Sequence, residues 1–319
     1  VDAQPASVID AMTDAALIDA CTCIGKEPLA ARIKHVSFQR EVFDGNVLGS
    51  ACLSTSMMFD WGNLLGGSYA LEPGPKESAS AITGIGIDLD DIPMLGTSEV
   101  DWSAVIRVFE RDEDHQMITT AACVDPLVDE SAECASSFHI SHTIEHAWIS
   151  PGSVVDASAE CAQGMLVGGG CSVHALQDKR SRLLRAGMDP ADPNRWRCSW
   201  RSHDAAEDIA VAAQAFCLEE TLPEACGCCP ALTNSIAVKQ ETQPLGPGAN
   251  RLQVTCGPDE LLLLGNCMLD GADSVALANV TMFRFGFPPG GNDTWGCSWN
   301  NPDGVPATAI ATAICLPML

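Results

Sequence analysis

The chain has 319 residues, with Asp+Glu 42 against Lys+Arg 17, a formal net charge of −25 and 46% hydrophobic residues. A surface that acidic repels phosphate backbones, which argues against a nucleic-acid binder. The apolar fraction is too high for a disordered chain, and no apolar run approaches the roughly 18 residues of a membrane-spanning helix.

Sixteen cysteines point to an oxidising compartment. No basic, apolar leader stands at Val1, so secretion implies a signal peptide already removed. Val8, Ile9, Met12, Ala16, Leu17 and Ala20 then recur at helical spacing. With Ser7 as N-cap and Gly25 as stop, they predict one short N-terminal helix. Cys21 and Cys23 sit near its end, and Arg32 to Phe38 alternates as a strand. Cys52 and the run Leu64-Leu-Gly-Gly-Ser68 follow. Asp88-Leu-Asp90-Asp91 is an acidic turn without EF-hand spacing, a candidate for calcium. Trp102, a strand at Val105 to Phe109 and Cys123 close this stretch.

Cys134 stands alone before a strand holding His139, His142 and His146. A strand turns His139 away from the other two and sets His142 and His146 roughly 13 Å apart, too far to share an ion. Cys161-Ala-Gln-Gly164, Val167-Gly168-Gly169-Gly170 and Cys171 come next. Consecutive glycines in a strand pattern predict a bulge or a close backbone approach. Lys179, Arg180, Arg182, Arg185, Arg195, Arg197 and Arg201 form a basic cluster in an otherwise acidic chain. It reads as a solvated basic face or as a docking patch for an acidic module of another subunit, with Arg180, Arg182 and Arg185 as binding candidates. Asp189-Pro-Ala-Asp192 is a second acidic turn, and Trp196-Arg-Cys198-Ser-Trp200 and Cys217 follow. Cys226-Gly-Cys228-Cys229 would hold a soft metal only with a second ligand pair. Ser235 to Val238 reads as a strand, followed by Cys256, Cys267, Trp295-Gly-Cys297-Ser-Trp299 and a small-residue strand from Ala307 to Cys315. Asn279-Val-Thr and Asn292-Asp-Thr match glycosylation sequons.

These stretches repeat. Two share four cysteines around a Trp-x-Cys-Ser-Trp core. A third keeps Cys52 and Cys123 but sets Ser68 and Ala104 where the others have their inner cysteines. Joint loss of the inner pair marks those two as partners. The expectation is Cys161–Cys217 around Cys171–Cys198, Cys256–Cys315 around Cys267–Cys297, and Cys52–Cys123 alone. Module limits fall at 1–125, 126–219 and 220–319. Cys21, Cys23, Cys134, Cys226, Cys228 and Cys229 lie in the leaders and are expected to join modules or subunits. The fold class expected is all-β: three tandem disulfide-stabilised β-sandwich modules with one short N-terminal helix.

The pattern Cys161-x-x-Gly164, Gly169-Gly170, Trp196 and Ala215-x-Cys217 resembles a widespread secreted bacterial module of the form Cys-x-x-Gly, Gly-Gly, Trp, Ala-x-Cys. The three-module plan is similar to the Cys-rich, resistin-like C-terminal domain of the proprotein convertase that regulates the LDL receptor. That resemblance implies three β-sandwiches about a pseudo-threefold axis and transfers no catalytic residue.

Gly-x-Ser-x-Gly, His-Glu-x-x-His and the P-loop pattern are all missing from the sequence. The functional expectation is a secreted or cell-surface, non-enzymatic structural or adhesive protein, self-associating as an extracellular filament subunit. The acidic turns read as solvated and no cofactor is expected, calcium being the one alternative, and no membrane span or nucleic-acid partner is expected. The tryptophans of each Trp-x-Cys-Ser-Trp core read as packed on the inner disulfide; one functional alternative is a module binding glycan or a surface protein through exposed Trp200 or Trp299. The other is a hydrolase with an unrecognised site.

Overall fold

The computed structural model describes residues 33–42, 47–51, 64–72, 80–87, 101–108, 115–124, 137–173, 181–202, 208–221, 231–288 and 293–318. The expected N-terminal helix, Cys21, Cys23, Cys52, Cys134, Cys226, Cys228, Cys229, Arg180 and Asp88 to Asp91 lie outside the described residues.

The fold is all-β. The first repeat supplies β1 (Ile33–Val42), β2 (Val47–Ala51), β3 (Leu64–Glu72), β4 (Ser80–Ile87), β5 (Asp101–Val108) and β6 (His115–Val124). The second supplies β7 (Ser137–Ile149), β8 (Val154–Glu160), β9 (Met165–Val173), β10 (Ser181–Asp189), β11 (Asp192–Ser202) and β12 (Ile209–Thr221). The third supplies β13 (Ala237–Pro244), β14 (Gly248–Thr255), β15 (Glu260–Asp270), β16 (Thr281–Gly286), β17 (Thr294–Asn301) and β18 (Thr308–Pro317). Among the described residues no helix is long and apolar enough to cross a membrane.

The strands form three antiparallel six-stranded sheets, and every sheet is shared between two repeats. The orders are β1-β6-β3-β16-β17-β14, β13-β18-β15-β10-β11-β8 and β7-β12-β9-β4-β5-β2. Each sheet thus takes strands one, six and three of one repeat and strands four, five and two of another. Passing from sheet to sheet permutes the repeats cyclically, so the connectivity has threefold character. The three junctions fall at one repeat position: Tyr69 opposite Phe285, Ile85 opposite Cys171, and Ala186 opposite Cys267.

Register also corrects the alignment of the first repeat. Counting back from the closing cysteine, Cys123 faces Leu64, Cys217 faces Leu166 and Cys315 faces Leu262, and a bulge follows each. Beyond the bulge, Tyr69 occupies the place of Cys171 and Cys267, and Ser68 falls one residue short of it. The offset comes from the glycine run: register sets Gly66-Gly67 against Gly168-Gly169, whereas cysteine spacing sets them against Gly169-Gly170. Ala104 holds its expected place, since it faces Ile85 as Cys198 faces Ala186 and Cys297 faces Phe285.

The glycines of the repeat act at close approaches. An added Cβ on Gly169 would fall within the indole of Trp196, and one on Gly265 within that of Trp295. The Gly and Trp of the repeat signature are therefore packing partners in the second and third repeats. A second approach lies where the repeats converge. Gly66, Gly168 and Leu264 are equivalent by register, each facing the residue before a closing cysteine. A Cβ on Gly168 would lie 2.5 Å from the Leu65 carbonyl oxygen and 2.9 Å from Leu264 Cδ1, and one on Gly66 would lie 3.0 Å from that same methyl. One leucine and the Phe216 ring fill this space, and the two glycines leave room for them.

Candidate interaction surface

Four disulfides are present among the described residues, and they are nested as the spacing predicts. Cys161 joins Cys217 around Cys171–Cys198, and Cys256 joins Cys315 around Cys267–Cys297. Each inner bridge crosses a sandwich from its third strand to its fifth. Cys123 is also disulfide-bonded. Bridged sulfurs cannot ligate metal, so the cluster of Cys256, Cys315 and Glu260 is no metal centre in this state. Glu260 instead accepts from Lys239 Nζ at 2.5 Å and from the Gly257 N–H at 2.5 Å. Those two donors, the lysine first, hold its carboxyl below the usual range.

Trp200 and Trp299 do not serve as exposed ligand platforms. Both are fully buried, as are Trp196 and Trp295. Trp295 meets Phe285 edge-on at 5.2 Å and Phe287 at 5.5 Å. The i, i+4 spacing aims both indoles of each motif into the sandwich beside the inner disulfide, because side chains on a strand repeat every second residue.

One arginine of the basic cluster is also taken inward. Arg185 is 4% exposed and donates to the Ala272 carbonyl, in the loop after β15. Desolvation lowers its pKa, helped by Arg197 and opposed by Asp156, Asp270 and Asp273. Beside it the hydroxyls of Ser199 and Ser274 both donate to Asp156 Oδ1, and Arg197 lies 3.6 Å from Asp156 Oδ2. Arg201 donates to Asn279 Oδ1 at 3.1 Å, and Asn279 donates to Asp303 at 2.6 Å. The sequon side chain Asn279 is thereby part of the same clasp. Arg185 is therefore not a surface for another subunit: it joins the second repeat to the third within one chain. Arg182 is half-buried and engaged.

The second acidic turn works as hairpin scaffolding. Asp189 and Asp192 accept the N–H groups of Ala191 and Asn194 at 3.0 and 3.1 Å. Arg195 bridges Glu160 and Asp192 at 3.0 and 3.2 Å. The hydrogen bond to Glu160, then the charge of Asp192, raises its pKa.

The three histidines lie on a strand, as expected. His139 and His146 are exposed on β7, while His142 is half-buried with its ring edge-on to Phe216 at 5.1 Å. Another feature of the same strand lies beside them. β7 is the terminal strand of its sheet among the described residues, paired with β12 from Ser137 to Ile149. Near its end Trp148 is 65% exposed, next to the turn Ser150-Pro-Gly-Ser153 closed by Ser153 N–H on the Ser150 carbonyl. The available signal was its setting: Trp148 is the tryptophan directly ahead of a Pro-Gly turn, outside the Trp-x-Cys-Ser-Trp motif.

No family model matches this chain, and no curated protein matches it either.

Proposed function

We propose that this protein is a secreted or cell-surface structural protein that works by self-assembly, joining copies into a filament or adhesive layer. The observation that supports it most directly is how the fold is built. Three times within one chain, a three-stranded half-sheet is extended edge to edge by a half-sheet of another repeat. The outer ends of the sheets offer the same kind of edge to other chains. Four disulfides within the described residues are compatible with an extracellular setting, where such bridges persist. The absence of nucleophile and metalloprotease motifs from the sequence agrees with a non-enzymatic role.

The test is sedimentation velocity and electron microscopy of native protein across a concentration series, at the salt of its native medium. Species larger than one chain, growing with concentration, are expected. A single monomeric boundary at every concentration would sink the reading.

A second reading has one observation in its favour. Exposed Trp148, in place of Trp200 and Trp299, could anchor a glycan or protein ligand. Screening a glycan array with native protein and Trp148→Ala would show signal that depends on Trp148 if this holds.

A further inference from the structure

We infer that β7 is the strand through which two copies of this chain join, pairing antiparallel with itself about a two-fold axis beside residue 142. The inference rests on the self-assembly reading above and names the surface that carries it.

The three repeats provide an internal control. β1, β7 and β13 are equivalent first strands, each ending its sheet among the described residues. β1 carries Lys34, Arg40 and Glu41, and β13 carries Lys239, Glu241 and Pro244 over only 8 residues. Charges, proline and short length are the devices that keep edges from pairing. β7 is the poorest of the three in them. It runs for 13 residues without Lys, Arg or Pro, and Glu145 is its single carboxylate. In a chain of net charge −25, such a strand is where two copies approach with least repulsion.

The occupant follows from the strand's own order. Antiparallel self-pairing about position 142 sets residue 139 opposite the partner's Glu145, 140 opposite the partner's Ile144, and 141 opposite the partner's Thr143. The contacts are then His139 with a carboxylate, Ile140 with an isoleucine and Ser141 with a hydroxyl, each made twice by symmetry. These are the cross-strand combinations that stabilise a sheet. The faces agree as well. Phe138 and Ile140 are buried on one face, while His139 and Glu145 are exposed on the other. Self-pairing keeps odd positions beside odd and even beside even, so within 139–145 His139 and Glu145 share one face and Ile140 and Ile144 the other, while beyond it Phe138 meets the partner's His146. An isologous contact of this kind closes a dimer and continues the sheet across two chains.

The experiment is a charge swap on the native full chain, read by sedimentation equilibrium. Glu145→Lys faces a histidine with a lysine, and His139→Glu faces one carboxylate with another. Each single variant should raise the dimer dissociation constant about tenfold, and the double variant His139→Glu/Glu145→Lys should restore it. Circular dichroism and non-reducing mass mapping check that the variants fold. Hydrogen exchange on unmodified protein gives a second measurement. Amides of 137–149 should slow with rising protein concentration, and those of 237–244 should not. If native chains associate but neither the swap nor the exchange changes at β7, this inference falls and self-assembly by another surface stands. If native chains never associate, both readings fall.

Discussion

Single residues in this chain matter through the space they leave. Gly169 and Gly265 admit the indoles of Trp196 and Trp295, and no larger residue can stand there without moving a buried ring. Gly169→Ala or Gly265→Ala should lower unfolding stability by about 1–3 kcal/mol in a denaturant titration, the usual cost of overpacking. Gly246→Ala, whose nearest neighbour to an added Cβ is Asn250 Oδ1 at 3.5 Å, should change it little. His35 makes a different prediction. Its Nε2 lies 3.1 Å from the carbonyl of Leu263 in the third repeat, and its ring meets Phe287 at 5.0 Å. Burial lowers its pKa below 6.5, with the Leu263 contact opposing. The unfolded chain then binds a proton more readily than the folded one. Stability from this group is full above pH 6.5 and is lost as the pH falls through the lower folded value. Melting temperature should drop on acidification across that window. His35→Gln should flatten the part of the slope that His35 causes, and an unchanged slope would remove His35 from the account. The Gly and Trp residues stood out in the sequence as a repeated signature. That they touch one another did not, because they lie on different strands.

At the scale of strands, the inner disulfide and its replacement carry the lesson. In two repeats a cystine links the third strand to the fifth. In the first repeat Tyr69, fully buried, takes the third-strand place, and burial holds its phenol neutral by raising its pKa well above 10. Tyr69→Cys with Ala104→Cys should therefore form a third inner bridge. Non-reducing mass mapping would find the two new cysteines joined, whereas Ser68→Cys with Ala104→Cys should leave both thiols free. The reverse change, Cys171→Ala with Cys198→Ala, should cost about 3 kcal/mol. Strand positions were legible because small-residue and alternating runs lie between turns. The pairing of cysteines was legible because one repeat had lost two together. The offset of the first repeat's glycine run was not, since cysteine spacing sets Gly66-Gly67 against Gly169-Gly170 where register sets them against Gly168-Gly169.

For the whole molecule, the sharing of sheets has consequences that tandem modules would not have. Half of each sheet's neighbours come from another repeat, so no repeat completes its own sheets. Residues 220–319 expressed alone should show no cooperative monomeric melt in calorimetry. A sharp, concentration-independent transition would show that the junctions contribute little. The Arg185–Ala272 and Arg201–Asn279–Asp303 contacts sit at these seams, so two arginines of the basic cluster find partners within the chain. By itself the sequence determined the all-β class, the threefold repeat and the nested disulfides. Each of those is written in local alternation or in the spacing of residues along one chain. Only the tertiary structure decided that the sheets cross from repeat to repeat, that Trp200, Trp299 and Arg185 are internal, and that β7 ends its sheet among the described residues. Those outcomes depend on which strand edges meet in space. Hydrogen-bonding groups on an edge are the same for every sequence, and the choice between edges is made by packing at a centre where Gly66, Gly168 and Leu264 must fit together.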